Sequence, residues 1–194
     1  MEKDRTERAA ISVLEHIRQE IGDKYMCDDD MLNLQTMLVK LLGEKHLTAA
    51  CAESLTGGLV SAKITEVPGA SGVFSCGVCT YSNAMKNKIL GVRRETLQTY
   101  TEYSTQTALE MASGVRKLSG ADIGIATTGI AGPSGGSKEK PVGLVYVAVD
   151  SENCREVKEL RLNKDRENNR EHIRLVSALY ALYMALRMAE KITV

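Results

Sequence analysis

The chain has 194 residues, 43% of them hydrophobic and 26% charged, a composition that excludes an intrinsically disordered or fibrous protein. A chain of this length buries roughly 70% of its unfolded surface, so it needs neither a disulfide nor a metal to fold. Its 25 basic residues balance 25 acidic ones, which leaves no net charge and no basic footprint for nucleic acid.

The N-terminus, MEKDRTER, is charged where a signal peptide is apolar, and no apolar run approaches the roughly 20 residues of a membrane span. A cytoplasmic protein without a membrane partner is expected. Residues 4–21 set Ala10, Ile11, Leu14, Ile17 and Ile21 at helical spacing, with Gly22 as the stop. This amphipathic helix reads as an extension over residues 1–28. A lone apolar stripe must be covered, so it also reads as an oligomerisation or docking element, and a homo-oligomer is expected.

The main domain reads as residues 29–194. Asp30 is placed to cap a helix apolar at Leu34, Met37, Leu38, Leu41 and Leu42, which Gly43 would end. From residue 47 short apolar runs alternate with helical patterns. Strands are expected at 47–52, 73–81, 122–128, 142–150 and 156–162, and helices at 57–67, 83–90, 104–118 and 166–191. The last two strands adjoin across Ser151-Glu152-Asn153 and read as a hairpin, so the sheet is expected to be mixed. Five cysteines at irregular spacings suit a reducing compartment. Cys76 and Cys79 spell CxxC inside the second strand, with no second pair to complete a zinc site, and are expected to be buried thiols.

Candidate chemistry stands at the strand ends, where open α/β sheets gather their ligands. Ala52-Glu53-Ser54-Leu55-Thr56-Gly57-Gly58 leaves the first strand and opens a helix. A hydroxyl followed by two glycines there offers backbone N–H donors and a favourable dipole to a phosphate or an oxyanion, or presents Ser54 as a nucleophile. Alternatively, Ser54 or Thr56 is only the N-cap and the glycines only permit the turn. A second glycine-rich loop, carrying Gly129, Gly132, Gly135 and Gly136, follows the third expected strand. It is neither a triphosphate loop nor a dinucleotide fingerprint. It is a functional loop or a surface loop, and Lys138 and Lys140 at its end read as solvated charges. After the second strand, Asn83 is placed to cap a helix with Lys86 in its first turn. A cation there opposes the helix dipole, and a desolvated lysine at such a place loses basicity as a general base requires. The competing reading is a surface lysine. The three histidines, His16, His46 and His172, lie in or beside helical segments, so no Ser-His-Asp triad is apparent.

Five segments in order carry a family resemblance: AESLTGG at 52–58, PGAS at 68–71, TYSNAMK at 80–86 with LGV at 90–92, TGIAGPSGG at 128–136, and KPVG at 140–143. Together they resemble the C-terminal domain family of the competence/damage-inducible protein CinA, whose stand-alone members are nicotinamide-nucleotide amidases. The resemblance covers about residues 31–190. It implies a three-layer α/β/α sandwich with a mixed, mostly parallel sheet of about five strands. It also implies hydrolysis of the carboxamide of nicotinamide mononucleotide by a Ser-Lys mechanism without metal or cofactor. Carried over by motif, the nucleophile falls on Ser54, the base on Lys86, an accompanying phenol on Tyr81, and a supporting arginine on Arg166. Backbone donors near Thr56, Gly57 and Gly58 are expected to meet the oxyanion, and the loop at Gly129, Gly132, Gly135 and Gly136 to meet the substrate phosphate. The chain departs from the family pattern at Leu55, where cysteine is usual, at Lys164, where glycine is usual, and at 101–104, where TEYS replaces GAVS. A catalytically inactive nucleotide-binding module of the same fold is the alternative reading.

Overall fold

The computed structural model describes residues 33–162 and 170–193. The extension at 1–28 and Arg166 lie outside the described residues. In chain order the elements are α1 (Leu34–Glu44), β1 (Ala49–Glu53), α2 (Leu59–Thr65), a short 3-10 turn (Ala70–Gly72), β2 (Phe74–Cys79), α3 (Asn83–Leu90), α4 (Arg94–Tyr100), α5 (Thr105–Ser119), β3 (Ile123–Gly129), β4 (Leu144–Asp150), β5 (Arg155–Arg161) and α6 (Arg170–Lys191).

The five strands form one mixed sheet in the order β2-β1-β3-β4-β5. Strand β1 runs parallel to both neighbours, while β3–β4 and β4–β5 are antiparallel, so the pairings divide evenly between the two kinds. The β4–β5 hairpin forms as expected, with Leu144 opposite Arg161 and Asp150 opposite Arg155.

Strand alternation builds the layers. Cys51, Ile123, Ile125, Val145, Val147 and Val149 meet α1, α2 and α6 on one face. On the other, Ala50, Ala52, Ala126 and Ala148 meet α3, α4 and α5. The alanines of β1, β3 and β4 on the second face, beside the larger Leu144 and Tyr146, let α5 approach closely. A Cβ at Gly124 would stand 2.1 Å from the Ala112 carbonyl oxygen of α5. The first face is filled by larger side chains, among them Leu38, Leu42, Ile64, Leu179 and Leu182, all fully buried. Truncating any of these to alanine costs about 2–5 kcal/mol. Lys45, just past α1, donates its Nζ to the carbonyls of Ala189, Glu190 and Ile192 at 2.9, 3.1 and 2.7 Å. A cation thus satisfies the last turn of α6 and complements its dipole. None of the described helices is long and apolar enough to cross a membrane.

Three local expectations change. Helix α4 was not anticipated: its sequence RETLQTY has no apolar stripe, and its one buried residue is Thr96. The cap of α3 is Ser82, whose hydroxyl accepts from Met85 N–H at 3.3 Å, one position before Asn83. Cys51 is buried, but Cys79 is exposed and Cys76 only half-buried, because β2 is an edge strand. Three residues apart on a strand, those two thiols face opposite sides of the sheet.

Candidate active site

The strand order reverses at β1, which has β2 on one side and β3 on the other. The carboxyl end of such a strand is the natural crevice of an open α/β sheet. Ser54 is the first residue beyond it. Its N–H donates to Thr127 O at 3.0 Å, which extends the β1–β3 ladder by one bond, and its carbonyl accepts from Gly57 N–H at 3.1 Å. Gly57 and Gly58 follow at φ +62° and +96°. A side chain in that region costs about 1 kcal/mol or more, so the sharp turn is built on glycine.

Glu53 fixes the turn. Its carboxylate accepts from the N–H groups of Gly58, Val60 and Ser61 at 3.0, 3.0 and 2.8 Å, and from Ser61 Oγ at 2.7 Å. The last residue of the strand therefore caps the helix that follows. This settles the alternative for the two hydroxyls: neither caps α2. Thr56 Oγ1 shares a hydrogen bond of 2.7 Å with Thr127 Oγ1, and Ser54 Oγ is engaged by Lys86. From α6, Arg174 donates to Leu55 O at 3.2 Å and Thr56 O at 2.7 Å, holding the outer side of the turn.

Lys86 comes from the end of β2. Thr80 N–H donates to Glu53 O at 2.9 Å, which carries the β1–β2 pairing to the same level as Ser54. Ser82 starts α3, and one turn later Lys86 is 1% exposed. Its Nζ lies 3.1 Å from Ser54 Oγ and 2.9 Å from Thr80 O. Burial pushes its pKa down to about 8, against the opposing pull of Glu102. A neutral amine that donates to Thr80 O keeps its lone pair for a proton from Ser54. The surface-lysine reading fails here, while Lys88 is the exposed neighbour.

A cavity of about 240 Å³ opens over this pair, with the glycine-rich loop and Arg170 as its far wall. Gly129, Gly132 and Gly135 line it, and Gly136 does not. Tyr81 lies at the mouth, 63% exposed. Its phenol oxygen accepts from Arg170 Nη2 at 3.1 Å, and Arg170 Nη1 donates to Gly132 O at 2.8 Å. Tyr81 is thus joined to Arg170 rather than to the amine. Lys140 is not simply solvated: its Nζ donates to Tyr100 O, Thr101 Oγ1 and Tyr103 O at 2.8, 2.5 and 3.1 Å, fastening the loop's end to the α4–α5 connection.

One expectation needs correction. Thr56, Gly57 and Gly58 do not line the cavity, and the N–H groups of Gly57 and Gly58 are committed to Ser54 O and Glu53. Leu55, directly after Ser54, lines the cavity, and its N–H makes no hydrogen bond among the described residues, which makes it a candidate donor for an oxyanion. Arg166 lies outside the described residues, and the arginines that the described residues bring to the site are Arg170 and Arg174. Their signal was present in the sequence. Two cations four residues apart in the first turns of a helix oppose its dipole on one face, the same anomaly that marked Lys86. Glu53 and Glu102 were missed for want of any pattern linking them to their partners.

Comparison with known proteins places this geometry. The model of the CinA C-terminal domain family matches residues 31–189. A competence-damage inducible protein of Caldanaerobacter subterraneus is 48% identical over 180 residues, which are 93% of this chain and 43% of that one. A CinA-like protein of Dictyoglomus thermophilum is 44% identical over 180 residues, with the same two coverages of 93% and 43%. The chain thus spans less than half the length of these curated relatives. Among solved structures, the competence/damage inducible protein CihA from Agrobacterium tumefaciens superposes with a TM-score of 0.78 at 40% identity, covering 84% of this chain and 96% of that one. A CinA superfamily protein from Klebsiella pneumoniae gives 0.76 at 29% identity, covering 82% and 97%.

Proposed function

This chain belongs to the CinA C-terminal domain family, and from that premise we propose that it hydrolyses the carboxamide of nicotinamide mononucleotide to nicotinic acid mononucleotide and ammonia. The observation that carries the reading is the buried Lys86 amine, pushed down to about 8 and 3.1 Å from Ser54 Oγ at the floor of a polar cavity. A lysine with lowered basicity beside a serine hydroxyl is an activated nucleophile, and such a base contributes typically 10²–10⁴-fold to rate.

In the proposed sequence, neutral Lys86 takes the Ser54 proton as Oγ attacks the amide carbon. The tetrahedral oxyanion meets the Leu55 N–H. The ammonium of Lys86 returns its proton to the departing nitrogen, the C–N bond breaks, and ammonia leaves an acyl ester on Ser54. Water, deprotonated by the same amine, then cleaves the ester and restores the hydroxyl. The Thr80 carbonyl holds the amine throughout. Arg170, with its fork already turned to the loop and Tyr81, is the cation for the substrate phosphate.

The test is ammonia release from nicotinamide mononucleotide by wild type, Ser54→Ala and Lys86→Met. Turnover in wild type and a loss of about 10³-fold or more in both variants, with melting curves that show folded protein, is the expected result. A folded wild type that binds the nucleotide without releasing ammonia overturns hydrolysis in favour of a binding module.

A further inference from the structure

Glu102 is a carboxylate in the wall of the cavity, on the connection between α4 and α5. The dyad has no use for it, since its charge pulls the Lys86 amine upward, away from the neutral form a base needs. Among the described residues no cation lies within salt-bridge distance of it. Yet the chain holds it in place. Thr128 Oγ1 donates to its backbone carbonyl at 2.7 Å, and Asn83 Nδ2 donates to its carboxylate at 3.3 Å. The preceding Thr101 sits at φ +68°, a region that β-branched residues rarely enter, and is held there by Lys140. The charge of Glu102 also acts on its neighbour, since the Tyr103 phenol is pushed up by burial first and then by that carboxylate. A positioned anion that works against the base is explained by a ligand that supplies a cation.

We propose that Glu102 is a specificity residue that selects a positively charged ring, so that the cavity is bipolar, with Glu102 for the ring cation and Arg170 for the phosphate. The inference rests on the amidase reading, because in that substrate a single ring carbon separates the quaternary pyridinium nitrogen from the carbon that bears the scissile carboxamide. With that carboxamide at Ser54, the cation falls within the reach of the Glu102 field. A fixed carboxylate in a partly desolvated wall discriminates strongly between a ligand that carries the charge and one of the same shape that does not.

Two probes separate these cases: nicotinamide mononucleotide and its 1,4-dihydro form, which keeps the ribose, phosphate and carboxamide but has a neutral ring. Titration calorimetry on Ser54→Ala, which removes turnover, is expected to show a preference of about tenfold or more for the cationic ring. In Ser54→Ala/Glu102→Gln that preference falls to within about twofold, and in Ser54→Ala/Glu102→Asp part of it returns. An unchanged preference in the glutamine variant overturns the proposal, as does equal weakening of both ligands or no binding of either by folded protein. Ammonia release by wild type, measured in parallel, reports separately on hydrolysis: a charge preference that depends on Glu102 without turnover sinks the amidase reading alone.

Discussion

The two walls of the cavity are built in opposite ways. At the turn after β1 nearly every polar group has a partner: Glu53 takes three N–H groups and a hydroxyl, Arg174 takes two carbonyls, and Thr56 pairs with Thr127. Across from it, the glycine-rich loop is exposed from Pro133 to Glu139 and is held at two places, Arg170 on Gly132 and Lys140 at its end. The difference teaches where precision is needed. The proton transfer proposed between Ser54 and Lys86 would tolerate little displacement, and the dyad side is the one that the fold's own hydrogen bonds hold. Under the proposed function the loop offers backbone donors to the substrate.

Changing one wall and then the other sharpens the contrast. Lys86→Met is expected to have the largest effect, lowering turnover by about 10³-fold while raising stability at pH 7 by about 2 kcal/mol. The sign follows from the two pKa values. The amine ionises near 8 in the folded protein and near 10.4 in the unfolded chain, so between those values the unfolded chain holds more proton and wild-type stability rises with pH. Below about pH 8 the penalty of charging the buried amine is fully present. The advantage of the methionine variant in thermal melts should therefore shrink from pH 8 upward. An advantage independent of pH would show that Lys86 is not desolvated as described. In wild type, kcat/KM should climb about tenfold per unit below pH 8 and level above it.

Glu53→Ala comes next. It strips four hydrogen bonds from the start of α2, with an expected loss of about 3 kcal/mol in chemical denaturation. Turnover should fall about 10- to 100-fold through a displaced Ser54, although Glu53 touches no reacting atom. Full activity at permissive temperature would mean that the turn does not need its cap. On the loop side Arg170→Ala is expected to be milder, raising KM about tenfold with kcat within about threefold. A collapse of kcat there would place Arg170 in the chemistry and erase the contrast between the walls.

How much of this was legible in the sequence depends on whether the cause was local. The mixed sheet, the β4–β5 hairpin and the buried strands follow from apolar runs and short links that stand adjacent in the chain. Ser54, just past a strand end, and Lys86, a cation in the first turn of a helix, could be singled out locally, but their pairing came from the family resemblance, since 32 positions separate them. Helix α4 was not readable, since its polar sequence becomes helical only by packing against α5. Arg170 and Arg174 were not singled out, because their partners, Gly132 and Thr56, stand 38 and 118 positions away along the chain. Glu53 lay inside the most telling motif, yet its capping role required knowing that the chain doubles back over it. Exposed Cys79 reflects the sheet order, which assigns β2 to an edge and which no single strand's sequence encodes.

The reversal of strand order at β1 has one more consequence. The proposed nucleophile, the proposed base and the glycine-rich loop follow three different strands, β1, β2 and β3, and no one connection carries more than one of them. The loop between β3 and β4 can therefore lengthen, shorten or change composition over evolutionary time while the reactive pair is inherited intact. Diversification within such a lineage is expected to appear first as a change in what is accepted, and only later as a change in what is done to it.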